Sequence, residues 1–169
     1  MQRKYHYPSE KAYASKGKRL ANLVVDRIII YIVTFLLGIF AYIISEFLGI
    51  HDFLVFIEQM NAFEELLFSI LLTLLYYTVM EATTGRTIGK LVTNTTVINE
   101  AEQKVDFGQA FLRSLCRLIP FEAFSFLGSE GRGWHDSIPK TFVVDIKKYE
   151  EEKQIQQGLD QLGTNIQEL

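Results

Sequence analysis

The sequence predicts a mainly α-helical membrane protein, with a transmembrane helical hairpin, an amphipathic or re-entrant third helix and a small β element on the cytoplasmic side. Three observations predict it. Between Arg27 and Arg86 there is no lysine or arginine, although basic residues are common on both sides; two long apolar runs fill that gap; and the stretch separating them carries Asp52, Glu58, Glu64 and Glu65 and no basic residue. A helical hairpin crossing a bilayer needs such a pattern, and few soluble folds do. Cytoplasmic loops are enriched in Lys and Arg, so the basic flanks place the N-terminus inside.

Composition narrows the class. Mean hydropathy is only +0.13 because polar residues at both ends dilute two dense apolar segments, so the local runs decide and the average does not. A chain of 169 residues fits one compact unit. A net charge of −3 gives no footprint for nucleic acid, which requires clustered surface basicity. The single cysteine, Cys116, excludes an intramolecular disulfide and a cysteine-rich zinc site. His6, His51 and His135 are too scattered to define a metal centre, so no metal and no cofactor is expected. The first ~19 residues are polar, and the apolar run behind them is too long for a signal h-region and lacks a small-residue cleavage pattern. That run is expected to be retained as a span.

Residues 1–18 are polar and basic and read as an irregular segment. From Leu20 to Leu48 the chain reads as one proline-free helix, about 43 Å long at about 1.5 Å per residue, against a hydrocarbon core of about 30 Å. Its first two turns, with Arg19, Asp26 and Arg27, are expected at headgroup level near water. Ile28 to Ile44 does the crossing, within a first span at about 24–48. Gly49 to Glu65 forms the outer connection. A second span at about 66–82 carries Tyr76 and Tyr77 towards its inner end, where aromatic rings favour the headgroup boundary.

Thr83 to Lys90 is a tight turn region, and Leu91 to Asn99, rich in Val and Thr, reads as a strand that turns through Asn99–Gln103 back towards Lys104–Phe107. Asp106 with Gln109 three residues later has the form of a capping box and starts a helix at Phe107. Phe107, Ala110, Phe111, Leu115 and Leu118 form its apolar stripe, while Arg113 and Arg117, at i and i+4, share another face. Pro120 ends or kinks this helix, Phe121 to Leu127 continues the apolar stretch with Glu122 inside it, and Gly128 to Gly133 is a loop. Thr141 to Ile146 alternates like a strand. The tail, 147–169, is Gln-rich and reads as a fraying helix or a disordered segment.

The third apolar segment, 107–127, is just long enough to span. Crossing would bury two arginines and a glutamate, at roughly 2.5–3.5 kcal/mol each in mid-membrane, and would leave Arg132, Lys140, Lys147 and Lys148 outside. An interfacial or re-entrant segment with the C-terminus inside is the expectation. Three spans, with protein partners sheltering the charges, is the alternative.

The charges near the membrane need partners. Arg19 and Asp26 share a helix face but stand two turns, ~10 Å, apart, too far for a direct ion pair along the helix. Glu81, Arg113, Arg117 and Asp136 lie on the same inner side. In this ordered set the chain resembles the RDD family of integral membrane proteins. The family's arginine and two aspartates match Arg19 and Asp26 in KRLANLVVDRIII and Asp136 in GWHDSIPKTFVV. YYTVMEATTGRTIGK resembles the signature after the second span, through Glu81, Gly85, Thr87, Gly89 and Lys90, and QAFLRSLCR resembles the arginine-bearing segment that follows. The resemblance covers roughly residues 12–146, so the chain reads as a polar N-terminal segment (1–18), an RDD-like membrane domain (19–146) and a tail (147–169). Arg86-Thr87-Ile88 departs from the Gln-Thr-Pro-like run of many members, as does the long acidic outer loop. The resemblance implies a multi-pass protein of a bacterial cytoplasmic membrane and, by analogy with some members, cation/proton exchange.

Each candidate has a plainer reading. Asp26 reads either as a cation or proton site or as a structural salt bridge from the first helix to Arg113 or Arg117. Arg19 and Arg27 read as headgroup anchors, and Arg19 also as a partner of Asp136 or Asp26. Arg113 and Arg117 repel each other and call for an anion: Glu122, Glu81 or, most simply, lipid phosphate. The four form a possible ion or salt-bridge network, Glu81, Arg113, Arg117 and Glu122. His135 beside Asp136 has no nucleophile in a recognisable motif, so no catalytic residues and no enzyme activity are expected. Gly85 and Gly89 lack the spacing of a phosphate loop. Two spans do not readily enclose a pathway, so transport implies a homo-oligomer or a membrane protein partner in the lipid bilayer. The competing expectation is a non-transporting scaffold or regulator binding a protein through its cytoplasmic side.

Overall fold

The computed structural model describes residues 8–49, 51–125 and 132–167. The chain forms α1 (Lys16–Leu48), α2 (Asp52–Glu58), α3 (Ala62–Thr84), α4 (Ile88–Val92), β1 (Thr95–Asn99), α5 (Phe107–Cys116), α6 (Glu122–Ser125), α7 (Trp134–Ser137), β2 (Thr141–Asp145) and α8 (Ile146–Gln167). Two of these, α1 and α3, are long and apolar enough to cross a membrane. A soluble core helix of that composition would be covered by protein. Here only 11% of the most apolar stretch of α1 and 22% of that of α3 is buried, and Tyr31, Phe35, Phe47 and Phe63 stand out from the protein surface.

Both long helices begin earlier than composition alone indicates, because their caps lie in polar sequence. Ser15 accepts from the Lys18 amide (3.3 Å) and starts α1 at Lys16, four residues before the expected Leu20. Asn61 accepts from the amides of Phe63 (3.0 Å) and Glu64 (3.1 Å), while Glu64 returns a bond from the Asn61 amide (2.9 Å). This capping box starts α3 within the expected outer connection, whose remainder is folded into α2. Gly85, at φ +71°, stops α3 by taking the left-handed conformation that only glycine adopts without strain.

The segment expected as one strand, Leu91 to Asn99, is split. Thr87 caps a helical turn through the Lys90 amide (3.3 Å), so α4 occupies Ile88–Val92 and the strand begins at Thr95. The expected return towards Lys104 survives as a single antiparallel bridge, Ile98 to Lys104. The main partner of β1 is β2, antiparallel, with Val97 opposite Val143. The third apolar segment is not one helix either. α5 keeps its capping box, Asp106 to Gln109 (2.7 Å), but ends at Cys116 and is about 15 Å long, half the hydrocarbon thickness. The end of that segment and the start of the expected 128–133 loop, residues 126–131, lie outside the described residues, as do 1–7, 50 and 168–169.

Residues 8–15 and α8 pack together on the sheet. Ala14 donates to the Val143 carbonyl (3.0 Å), Tyr13 bridges Val144, and Ser9 bonds Glu152 of α8 through its amide (3.0 Å) and hydroxyl (2.9 Å). The described part of the segment expected to be irregular, from residue 8 on, therefore packs on the sheet and on α8, and the tail is a helix over 146–167. A small apolar core of Ala14, Val97, Val105, Ala110 and Val143, with Ala12, Ile98, Phe142, Val144 and Tyr149 on the other side of the sheet, holds this subdomain against the Arg19 end of the hairpin.

Candidate functional site

Charged residues from six elements converge where the hairpin meets the subdomain. On one buried face α1 carries Arg19, Asn22 and Asp26 at i, i+3 and i+7. Arg19 is only 6% exposed, so it is not a headgroup anchor; Arg27, next on the helix, is exposed. Asp136, on α7 and fully buried, accepts from Arg19 Nη1 at 2.5 Å and from Arg113 Nη1 at 2.7 Å. Arg113 also bonds Glu81 from Nε (2.6 Å), the His135 carbonyl (3.2 Å) and the Thr141 hydroxyl. Glu81 gathers three cations: Arg113, Lys90 Nζ at 2.5 Å and Arg117 Nη2 at 3.3 Å. The anionic partner of the two arginines is therefore a protein carboxylate and not lipid phosphate. Arg117 also stacks over Tyr77, 4.3 Å from the ring centre.

Glu122 is drawn away from the arginines. It bonds the His135 imidazole Nδ1 and accepts from Ser125 (3.2 Å), whose oxygen receives the Trp134 amide (3.0 Å). This arrangement joins α6 to α7. Burial pushes the imidazole of His135 below its ordinary value, against the pull of the Asp136 charge and the Glu122 bond, so the ring is neutral near pH 7. Burial would raise Asp136, but the imidazole of His135 and the guanidiniums of Arg19 and Arg113 outweigh it and hold the carboxyl well below the usual range, the permanent charges being those of the two arginines. Burial drives the ammonium of Lys90 down to about 8 while Glu81 pulls upward, so Lys90 is charged at neutral pH.

Asp26 is built differently. Buried at 1% exposure, it makes no ion pair among the described residues: neither Arg113 nor Arg117 touches it, and it is shut off from bulk solvent. Its carboxylate accepts from three neutral donors, the Tyr76 hydroxyl (2.7 Å), the Thr87 hydroxyl (2.7 Å) and the Gly89 amide (2.8 Å). Gly89 is required here, since a Cβ would stand 2.5 Å from the Asn22 carbonyl and 2.9 Å from Asp26 Oδ1. The Asn22 amide, with nitrogen towards the Gly89 carbonyl (2.9 Å) and oxygen towards the Thr95 hydroxyl (3.1 Å), ties α1 to α4 and β1. Tyr76 thus serves the cluster and not the headgroup boundary.

Sequence reasoning missed Asn22, Tyr76 and Thr141. Asn22 carried a signal, as the middle member of the polar stripe on an apolar helix; Tyr76 and Thr141 carried none. Four basic side chains, Arg19, Lys90, Arg113 and Arg117, are thus gathered with four acidic ones, Asp26, Glu81, Glu122 and Asp136, and the direct ion pairs with these bases run to Glu81 and Asp136. Arg132, partly exposed and 4.3 Å over the Phe142 ring, lies at the rim. A cavity of about 30 Å³, lined by Arg19, Asp26, Lys90, Arg117, Glu122 and His135, adjoins the cluster. It has room for a water molecule or two. Arg19 Nε and Nη2 and Arg117 Nε have no protein partner, and water there would satisfy them. Among the described residues no group of three His, Cys, Asp or Glu is placed to hold a metal ion.

Two uncovered apolar helices, joined at one end by a buried charge cluster to a small α/β unit, define a membrane protein. The RDD family model matches residues 13–140, and the chain belongs to the RDD family. No curated protein and no solved structure gave a significant match.

Proposed function

We propose that the chain is a multi-pass protein of a bacterial cytoplasmic membrane, with α1 and α3 crossing and both termini inside. In this reading it acts as a non-transporting scaffold or regulator that offers α8 to a protein partner. The observation that carries the reading is the face of α8. After its first two turns dock on the subdomain through Tyr149 and Glu152, the helix presents Ile155, Leu159 and Leu162 at i, i+4 and i+7. These are exposed by 65%, 56% and 60% on a helix otherwise made largely of Lys, Glu and Gln. Such a stripe is what a partner's groove takes up. The charge cluster supports the same reading, because each of its acidic side chains already has its hydrogen-bond partners.

A photo-crosslinker at position 159 in native membranes is expected to capture a discrete protein species, while one at 157, on the opposite face of α8, captures none. Equal capture at both positions, or none at either, counts against the scaffold.

A second reading is favoured by Asp26, the carboxylate of the cluster with no cation on it, beside the small cavity. Cation/proton exchange, by family analogy and as an oligomer, would use it. Everted vesicles would then show ion-dependent proton movement that Asp26→Asn abolishes. The scaffold reading expects vesicles with and without the protein to behave alike.

A further inference from the structure

Away from the cluster, an apolar cleft of about 870 Å³ lies between α1 and the first turns of α3. Along α1 it runs from Arg27 to Ser45, about 27 Å at 1.5 Å per residue, close to the full hydrocarbon thickness of about 30 Å. Its floor on α1 passes Thr34, Gly38 and Ala41. A Cβ built on Gly38 meets no atom within 4 Å, so this glycine keeps room in the cleft and does not serve close helix packing. Such a space facing hydrocarbon is filled, because its walls would otherwise lose their dispersion contacts.

Two features say what fills it. At the far end, Phe56, Ile57 and Met60 of the connection between the two helices line the cleft, so a continuous transmembrane helix entering it would run into the α2 segment. A chain that enters sideways and stops meets no such barrier. At the near end stands Arg27, exposed, with no ion pair among the described residues, whereas Arg19 and Lys90 are each ion-paired within the cluster. A lone guanidinium at headgroup depth, over an apolar slot, is complementary to an acidic amphiphile.

We infer that the cleft between α1 and α3 binds one acidic phospholipid, its phosphate on Arg27 and an acyl chain lying along Thr34 and Gly38. The inference rests on the membrane placement of α1 and α3 proposed above, but not on its orientation or on the partner of α8. The chain reaches about half the cleft, the depth of one leaflet; the far half, where Glu65 lines the wall, takes a chain from the opposite leaflet without a charge to select it.

The test is native mass spectrometry of the full chain released from nanodiscs of phosphatidylcholine containing a minority of phosphatidylglycerol. The wild type is expected to retain phosphatidylglycerol over phosphatidylcholine by roughly fivefold relative to their supply, what one basic side chain at a headgroup provides. Arg27→Gln is expected to keep a bound lipid and lose the preference. Gly38→Leu, which projects into open space and suits a helix better than glycine, is expected to lose the bound lipid whatever its headgroup. Equal retention of the two lipids by the wild type, an unchanged preference in Arg27→Gln, or unchanged retention in Gly38→Leu each overturns the inference. So does loss of the lipid to excess inorganic phosphate, or a lipid-free dimer that Gly38→Leu disrupts, which would assign the cleft to a second copy. Alkaline carbonate extraction separates the two levels of failure. A chain that stays in the membrane but retains no lipid refutes the site alone, whereas a chain that is extracted refutes the membrane placement beneath it.

Discussion

Asp136→Asn isolates what the charge cluster does for the fold. The side chain is fully buried between two guanidiniums, Arg19 at 2.5 Å and Arg113 at 2.7 Å. Asparagine keeps the shape and one acceptor but removes the charge. Arg113 falls back on Glu81, 2.6 Å away, so its loss is partial. Arg19 has no second anion, and its Nε and Nη2 already lack partners, so it becomes a buried uncompensated cation. Breaking a buried pair from one side costs about 3–5 kcal/mol. At about 2–4 °C per kcal/mol for a domain of this size, the unfolding midpoint should fall by roughly 6–20 °C. The assay is thermal unfolding in mild detergent, followed by circular dichroism and by the fluorescence of Trp134, the only tryptophan, two residues from the substitution. Arg19→Gln alone should be milder, since Asp136 retains Arg113. Added to Asp136→Asn it should remove the stranded cation, so the double variant is more stable than the sum of the single losses by about 1–3 kcal/mol. A midpoint within about 2 °C of wild type, or a strictly additive cycle, would refute the pairing.

Two further outcomes follow from the same geometry. Gly89→Ala drives a methyl to 2.5 Å from the Asn22 carbonyl and towards the Asp26 carboxylate; overpacking costs about 1–3 kcal/mol and the displaced amide bond a further 1.5–3, against about 1 gained in helix propensity. A net loss of about 1.5–5 kcal/mol should appear as a lower unfolding midpoint, and an unchanged midpoint would show that α4 does not press on α1. The pH dependence has a definite sign at His135. Because its imidazole is held below the ordinary 6.5, the unfolded chain takes up the proton first, so this contribution to stability is present above about pH 6.5 and is lost as pH falls towards the lower folded value. The midpoint should drop between pH 7.5 and 5.5, and the drop should be shallower in His135→Asn; identical slopes would put the acid sensitivity elsewhere.

The hairpin was legible because a bilayer imposes a long-range constraint on composition that shows as a run, and the break in basic residues needs no knowledge of packing. The start of α5 was legible for the opposite reason, since Asp106 and Gln109 act within one turn. The start of α3 was equally local, in Asn61 and Glu64, but apolar density drew attention past it. What could not be read was pairing between distant elements. Thr95–Asn99 had an adjacent candidate at Lys104–Phe107 and instead pairs with Thr141–Asp145. Arg113 and Arg117 had three candidate anions, and the one they meet depends on how α5 packs on α3. The strand expected at Leu91 failed because Thr87 and Gly89 spend their side chain and amide on Asp26, which fixes a helical turn in a Val- and Thr-rich segment. The family match places the same charged positions within one model, but no sequence feature said that Asp26 and Asp136 would be held by such different means.

The two kinds of carboxylate divide the work of positioning the hairpin. Replacing a buried ion pair by apolar side chains is often neutral or favourable, so bulk stability is a weak reason for eight charges to be assembled at one end of two helices. Geometry is a better one. Along their apolar lengths the helices barely cover each other, and the large cleft between them means that side-chain packing does not set their angle. Asp26 clamps α1 to α4 and to Tyr76 of α3 by neutral donors whose directions are fixed by a hydroxyl, a phenol and a backbone amide. Asp136 and Glu81 then tie α1 and α3 to α5 and α7 through Arg113, whose guanidinium bonds both. With the near end fixed this way, the angle between the two helices, and hence the width of the cleft, is set from the cluster. Asp26→Asn keeps an acceptor for two of its three donors and should leave the cleft open, whereas Asp136→Asn frees α1 at Arg19. If the cluster is the hinge of the hairpin, spin labels at positions 38 and 69 across the cleft should show a broadened distance distribution in Asp136→Asn and a narrow one in Asp26→Asn. Equal distributions in the two variants would return control of the cleft to the lipid that fills it.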